Sequence, residues 1–301
     1  MNSKYSGWIS IFFVYTVWGI QALYWKLFTD IPLVSILAWR IIWSFLFLSA
    51  VLIATRRFKR ILTLLKSPGI LLRVALCAFL IAFNWLLNIY AAYSNQLVES
   101  SLGHYITPII VICSGIFILK EKVRLYEAFA LLTAIAGVLY LAVTTGRIPL
   151  IAVFLVITFA GYTFMKKTLD IDPVTGITSE VMLLAPFALI FLIYQGVSGD
   201  GGVPEQMTAS SILLTASTGI FTALPLVLFS YGVRQINLSR LGFIQYYAPT
   251  LSLLIGVFIF REPFSRTHLI SFIFIWTAIT IVIGFSVFYR VKERNRRVTK
   301  S

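Results

Sequence analysis

The sequence predicts an all-α integral membrane protein whose ten transmembrane helices form two inverted five-helix repeats. Three observations carry this expectation. Of the 301 residues, 59% are hydrophobic and only 12% are charged, roughly half the charged share of an average globular chain. A soluble core of this length cannot hide that much apolar surface. The apolar residues are also gathered into runs of about 20, the length that crosses a bilayer as a helix. Finally, part of the fourth run recurs in the ninth. Ten helices absorb about 200 residues, which leaves short connections and no room for a soluble domain.

The expected spans are 7–27, 33–55, 71–92, 98–119, 126–145, 148–166, 175–195, 211–233, 238–260 and 266–289. The first run is too long for a signal-peptide core and shows no small-residue cleavage pattern, so it reads as a span. Breaks fall at Thr29 to Pro32, Arg56 to Pro68, Tyr93 to Leu97, Lys120 to Arg124, Gly146-Arg147, Lys166 to Asp172, and the Gly-rich stretch Gly196 to Ser210. Between Arg56 and Lys66, apolar residues alternate with cations, which fits a short interfacial helix or a plain basic loop. A β-barrel is excluded because the runs are too long and lack period-two alternation.

The net charge of +14 is spread between the runs and forms no single patch. That distribution points to a membrane and excludes a nucleic-acid partner. With the N-terminus in the cytoplasm, 20 of the 25 Lys and Arg fall in inside segments, four fall outside, and Arg40 lies within a span. The positive-inside rule then puts both termini in the cytoplasm, including a basic tail at 291–301. Cys77 and Cys113 sit within apolar runs and read as small core residues. Their spacing suggests no metal site, no cofactor and no disulfide.

The stretch HYITPIIVICSGIFILKE (104–121) aligns with QYYAPTLSLLIGVFIFRE (245–262) at an offset of 141, with six identities that include Tyr105/Tyr246, Pro108/Pro249 and Glu121/Glu262. The chain therefore divides into repeats at 1–145 and 146–290. Because each has an odd number of spans, the second enters the membrane from the opposite side. Inverted repeats of this kind suit alternating access. Pro108 and Pro249 each fall about ten residues into a span, close to the midplane at 1.5 Å per residue. Each weakens its helix, as a gating break or as a packing kink.

Polar residues within spans are costly and are candidates for function. Arg40 suits an anionic substrate group or a carboxylate partner such as Glu99. His104 is the one histidine well inside a span and titrates near neutrality. Glu180 suits snorkelling to the interface. Asn84 and Asn88, four residues apart, share a helix face with Trp85 nearby and suit a cavity wall or helix–helix glue. Trp18 is deep enough to line a pocket, while Trp25 fits the interfacial belt. Tyr105, Gln245, Tyr246 and Tyr247 flank the mid-span prolines and form the best pocket-lining set.

The stretches VWGIQALYWK (17–26), AWRIIWS (38–44), FNWLLNIYA (83–91), LVESSLGHYITP (97–108), ALPLVLFS (223–230), LSRLGFIQYYAPT (238–250), REPF (261–264) and FIFIWTA (272–278) resemble the RarD subfamily of the drug/metabolite transporter superfamily, the EamA-type permeases. The resemblance covers most of the chain. It implies a ten-span permease of the bacterial inner membrane working by alternating access. It also implies that Trp18, Arg40, Asn84, Trp85, Glu99, His104, Tyr105, Gln245 and Tyr246 surround a central cavity.

The leading expectation is a secondary transporter of a small organic metabolite or drug, with the substrate and the lipid bilayer as its partners. No Gly-x4-Gly-Lys motif is present, so ATP drive would need another chain. The alternatives are an intramembrane lipid-modifying enzyme, which the two widely separated histidines make the weaker reading, and a non-transporting scaffold. Monomer and homodimer are both open.

Overall fold

The computed structural model describes residues 3–28, 31–93, 97–146, 150–198, 209–261 and 265–298. All regular structure among these residues is helical. The first half contains α1 (Ser3–Trp25), α2 (Leu33–Ala54), α3 (Phe58–Leu65), α4 (Pro68–Tyr93), α5 (Leu97–Cys113) and α6 (Leu125–Thr145). The second contains α7 (Leu150–Thr168), α8 (Pro173–Ser198), α9 (Ala209–Gln235), α10 (Leu238–Gln245), α11 (Tyr247–Leu254) and α12 (Arg266–Val298).

Among the described residues, eight helices are long and apolar enough to cross a membrane, and Gly103–Ile118 is a shorter apolar one. The expected first span, α1, is not among the eight. Its described side chains run unbroken only over 5–21, because that of Ala22 lies outside the described ones. The outer surface is apolar, with Leu125, Phe187 and Val197 more than 70% exposed. Such a surface suits lipid and would be a liability in water.

The stretch after α2 is helical: α3 is a two-turn amphipathic helix that buries Ile61 and Leu64. Its Phe58, Leu62 and Leu65 are exposed, the pattern of a helix lying in the interface.

The two halves interlock. The principal helix packings are α6 on α12, α5 on α7 and α10, α2 on α8 and α9, α1 on α9 and α11, and α4 on α7. Each of these joins a helix before Gly146 to one after it, so neither half buries its apolar faces alone. One core cluster combines Ile11, Val14, Tyr15, Leu48, Cys77, Tyr162, Phe229 and Leu238, while another combines Tyr105, Ile112, Ala134, Phe243, Tyr246 and Phe272.

The sequence repeat is also a repeat of local backbone. α5 runs into a π-helical turn at Ser114–Ile118, and α11 runs into one at Ile255–Ile259. Each turn leads to a cation in the left-handed region, Lys120 at φ 53° and Arg261 at φ 55°. The copies differ at their prolines. α5 continues through Pro108, whereas the expected single span 238–260 is divided at Tyr246, three residues before Pro249. A proline cannot donate to the carbonyl four residues back, which here belongs to Gln245.

Candidate functional site

Tyr15, Trp18 and Trp25 follow one another along α1 at separations of three and seven residues, so they share one face of the helix. At one end of this stripe Trp25 meets Arg40 of α2. The guanidinium carbon lies 5.1 Å from the Trp25 ring centroid and 4.2 Å from that of Trp85 on α4. Nε donates to Thr222 Oγ1 of α9 at 3.1 Å. No carboxylate pairs with Arg40 among the described residues. The side chain of Glu99, its expected partner, lies outside them.

Trp18 continues the stripe, with its ring edge-on to Tyr15 and Phe159 and tilted on Phe229. At the far end, ten residues or about 15 Å along α1 from Trp25, the Tyr15 hydroxyl faces the Gln245 amide without hydrogen-bond geometry. Both amide atoms of Gln245 and the hydroxyls of Tyr15 and Tyr246 are buried without a hydrogen-bond partner. Each such atom costs about 1–3 kcal/mol when left unpaired. Gln245 and Tyr246 lie where the span is divided, three residues before Pro249, so unpaired polar atoms coincide with the backbone break.

The other expected site residues have identifiable roles. Asn84 is buried and donates to Leu155 O at 3.1 Å and Thr158 Oγ1 at 2.9 Å, tying α4 to α7. Asn88 donates to Asn84 O at 2.9 Å, and its Oδ1 lies 3.2 Å from His104 Nε2. Tyr105 stands apart from the α1 stripe, edge-on to Phe272 of α12 at 5.0 Å. Tyr247 stacks on Phe12 at 4.6 Å. Pro108 is buried, and its carbonyl faces Gly242.

Glu180 departs from expectation. Instead of snorkelling, it is 2% exposed and forms an ion pair with Lys166, which is equally buried. Lys166 is therefore a core residue and not the loop cation its position between two runs suggests. The Tyr162 hydroxyl donates to Glu180 Oε2 at 3.2 Å, and the Lys166 ammonium lies 5.3 Å from the Tyr162 ring centroid. The buried carboxylate is tolerated because it finds a cation and a hydroxyl within the fold, so neither charge is left unpaired.

The face that carries α3 is tied across the halves by charge. Asp172 accepts from Arg57 at 3.0 Å and lies 3.4 Å from Arg60. Arg240 lies 3.4 Å from Glu127. Glu121 caps the start of α10, where it accepts from Leu238 N and Ser239 N at 2.8 and 2.9 Å. Its repeat counterpart, Glu262, lies outside the described residues.

Sequence reasoning missed Tyr15, Phe159, Tyr162, Lys166, Thr222 and Phe229. The spacing of Tyr15 from Trp18 and Trp25 was the available signal for the first of these. No local pattern marks the others, since they reach the site from distant helices.

The EamA-like transporter family matches the chain twice, over residues 5–143 and 147–284. The chain belongs to this family, in its RarD subfamily. Relatives include the uncharacterized transporter YojE of Bacillus subtilis, 39% identical over 89% of this chain and 90% of that protein. Protein RarD of Escherichia coli is 35% identical over 89% and 90%. Protein RarD of Salmonella typhi is 34% identical over 93% and 95%. A solved crystal structure shares the fold at a TM-score of 0.68 and 16% identity, covering 92% of this chain and 97% of its own. The EamA-like chain is thus a multi-pass membrane protein of a transporter family.

Proposed function

We propose that the chain is a secondary transporter that moves a small organic solute across the bacterial inner membrane by alternating access, and that it is not an enzyme. In this reading ten spans form two inverted five-helix halves, 1–145 and 146–290, with both termini and the basic tail in the cytoplasm. The solute site lies along the α1 stripe, from Arg40 and Trp85 past Trp18 to Gln245 and Tyr246. His104, Asn88 and Glu99 flank it, and Pro108 and Pro249 act as the points where helices flex.

The observation that supports this reading is the meeting of unsatisfied polar groups from both halves inside an apolar bundle. Gln245 of the second half faces Tyr15 of the first, and Arg40 of the first donates to Thr222 of the second. A protein that only anchors or scaffolds gains nothing from that cost. A protein that passes a polar solute between its halves uses such groups to replace the solute's water.

The test is counterflow of labelled amino acids, nucleosides and drugs in proteoliposomes, with Tyr246→Ala as the site variant. Exchange of at least one solute class, reduced by the variant, is expected. If no solute exchanges and the variant is silent in cells, the transporter reading falls. Labelling of single cysteines placed near residues 56 and 265 tests the orientation, with the first expected to react from the cytoplasmic side and the second from outside.

A further inference from the structure

The repeat offers an internal comparison for Arg40. At the offset of 141, Trp25 at the end of α1 corresponds to Lys166 near the end of α7, and Trp39 on α2 corresponds to Glu180 on α8. In the second half this helix pair holds a closed ion pair, with cation and anion both supplied by the protein. In the first half the equivalent helix pair holds a cation, Arg40, one residue beyond Trp39, with no acidic partner among the described residues. A guanidinium has five N–H donors in a planar fork. Here one of them, on Nε, goes to Thr222, and no carboxylate answers the rest among the described residues.

The surroundings favour a particular kind of anion. Trp25 and Trp85 pack around the guanidinium and hold its plane, as arginine tends to stack on aromatic rings. The donors left over suit a planar carboxylate received by two N–H groups together. Beyond Arg40 the stripe is aromatic, with Trp18 against Phe159 and Phe229, so the body of the solute meets rings and not charge.

We propose that the transported solute is an aromatic carboxylate, whose anionic group takes at Arg40 the part that Glu180 takes at Lys166. This rests on the transporter reading and names its substrate class. A neutral solute of the same shape leaves the half-buried cation unanswered, and a cationic one is repelled by it.

The test uses the purified full chain in phosphatidylcholine nanodiscs, with binding read by thermal shift and by tryptophan fluorescence. The probes are matched acid and amide pairs: benzoate and benzamide, indole-3-acetate and indole-3-acetamide, nicotinate and nicotinamide. At least one acid is expected to bind roughly 10- to 100-fold more tightly than its amide, the span of one charge-assisted hydrogen bond. R40Q is expected to abolish that preference, and R40K to keep the charge preference while losing affinity because its ammonium lacks the planar fork. R40K also serves if R40Q does not fold.

Amides binding as tightly as acids, R40Q binding acids like the wild type, or no acid binding at all would each overturn the proposal. Counterflow of neutral solutes alone also overturns it, yet leaves the transporter reading standing. Acid binding through Arg40 with no counterflow of any solute sinks the transporter reading instead.

Discussion

Glu121 and Ser239 are joined twice: one carboxylate oxygen accepts from the Ser239 backbone N–H at 2.9 Å and from its hydroxyl at 2.7 Å. The other oxygen accepts from Leu238 N at 2.8 Å. A residue of the first half thereby caps a helix of the second. The arrangement combines the hydrogen bonds of an N-cap with the attraction between a carboxylate and a helix start. Gly115 makes room for it, since a Cβ there would stand 2.7 Å from Glu121 Oε2.

Glu121→Ala is expected to destabilise the protein by about 1–2 kcal/mol, the upper part of the range for a lost cap. Glu121→Gln retains an acceptor and should fall between Ala and wild type. Thermal unfolding in detergent measures both. A Glu121→Ala melting curve superimposed on wild type would remove the cap from the account.

For the buried ion pair, removing either partner alone is expected to be severe. Lys166→Met or Glu180→Leu strands one charge in the core, at about 3–5 kcal/mol. The double variant should recover most of that loss, because an apolar pair of similar volume leaves no charge unpaired. A double-mutant cycle on unfolding in detergent decides this. Additive losses would mean that the pair is not coupled.

Close helix contacts depend on two glycines. A Cβ on Gly219 of α9 would lie 2.6 Å from the carbonyl oxygen of Trp43, and one on Gly242 of α10 would lie 2.6 Å from that of Pro108. Because the neighbours are backbone, they cannot turn aside. Gly219→Ala and Gly242→Ala are each expected to cost about 1–3 kcal/mol. Gly242→Ala should also slow counterflow, since it separates α10 from α5 beside Pro108. Full stability and wild-type exchange for Gly242→Ala would show that this contact is slack.

His104 lies 3.2 Å from Asn88 Oδ1, and its repeat counterpart is Gln245. His104→Gln keeps a neutral polar group at that position and removes the imidazole, the side chain best able to carry a proton there. If His104 carries the coupling proton, uptake by the variant should lose its dependence on pH. An unchanged pH profile eliminates His104 as the coupling site.

Much of the fold is legible in the sequence because lipid simplifies the problem. A helix in a bilayer must satisfy its own backbone, so run length alone locates α2, α4, α6, α8 and α9 within a few residues, and the start of α12, which continues nine residues past the expected 289. The repeat could be read because Tyr105, Pro108 and Glu121 recur at one offset as Tyr246, Pro249 and Glu262. The site was legible only in part. Arg40 and Gln245 stand out because polar groups are rare in apolar runs. Lys166 did not, because a cation at the end of a run resembles any loop cation until its partner is known.

The sequence by itself determined the solvent, the helix lengths, the repeat and the asymmetry of charge, all of which depend on composition and local spacing. Tertiary structure decided which side chains meet. Only the fold brings Lys166 of α7 to Glu180 of α8 as a pair, and only the convergence of α1, α2, α4 and α9 sets Arg40 against two indoles beside Thr222. The physical reason is that contact between distant helices depends on how their faces interlock across the two halves. No run or spacing within one helix records that interlocking.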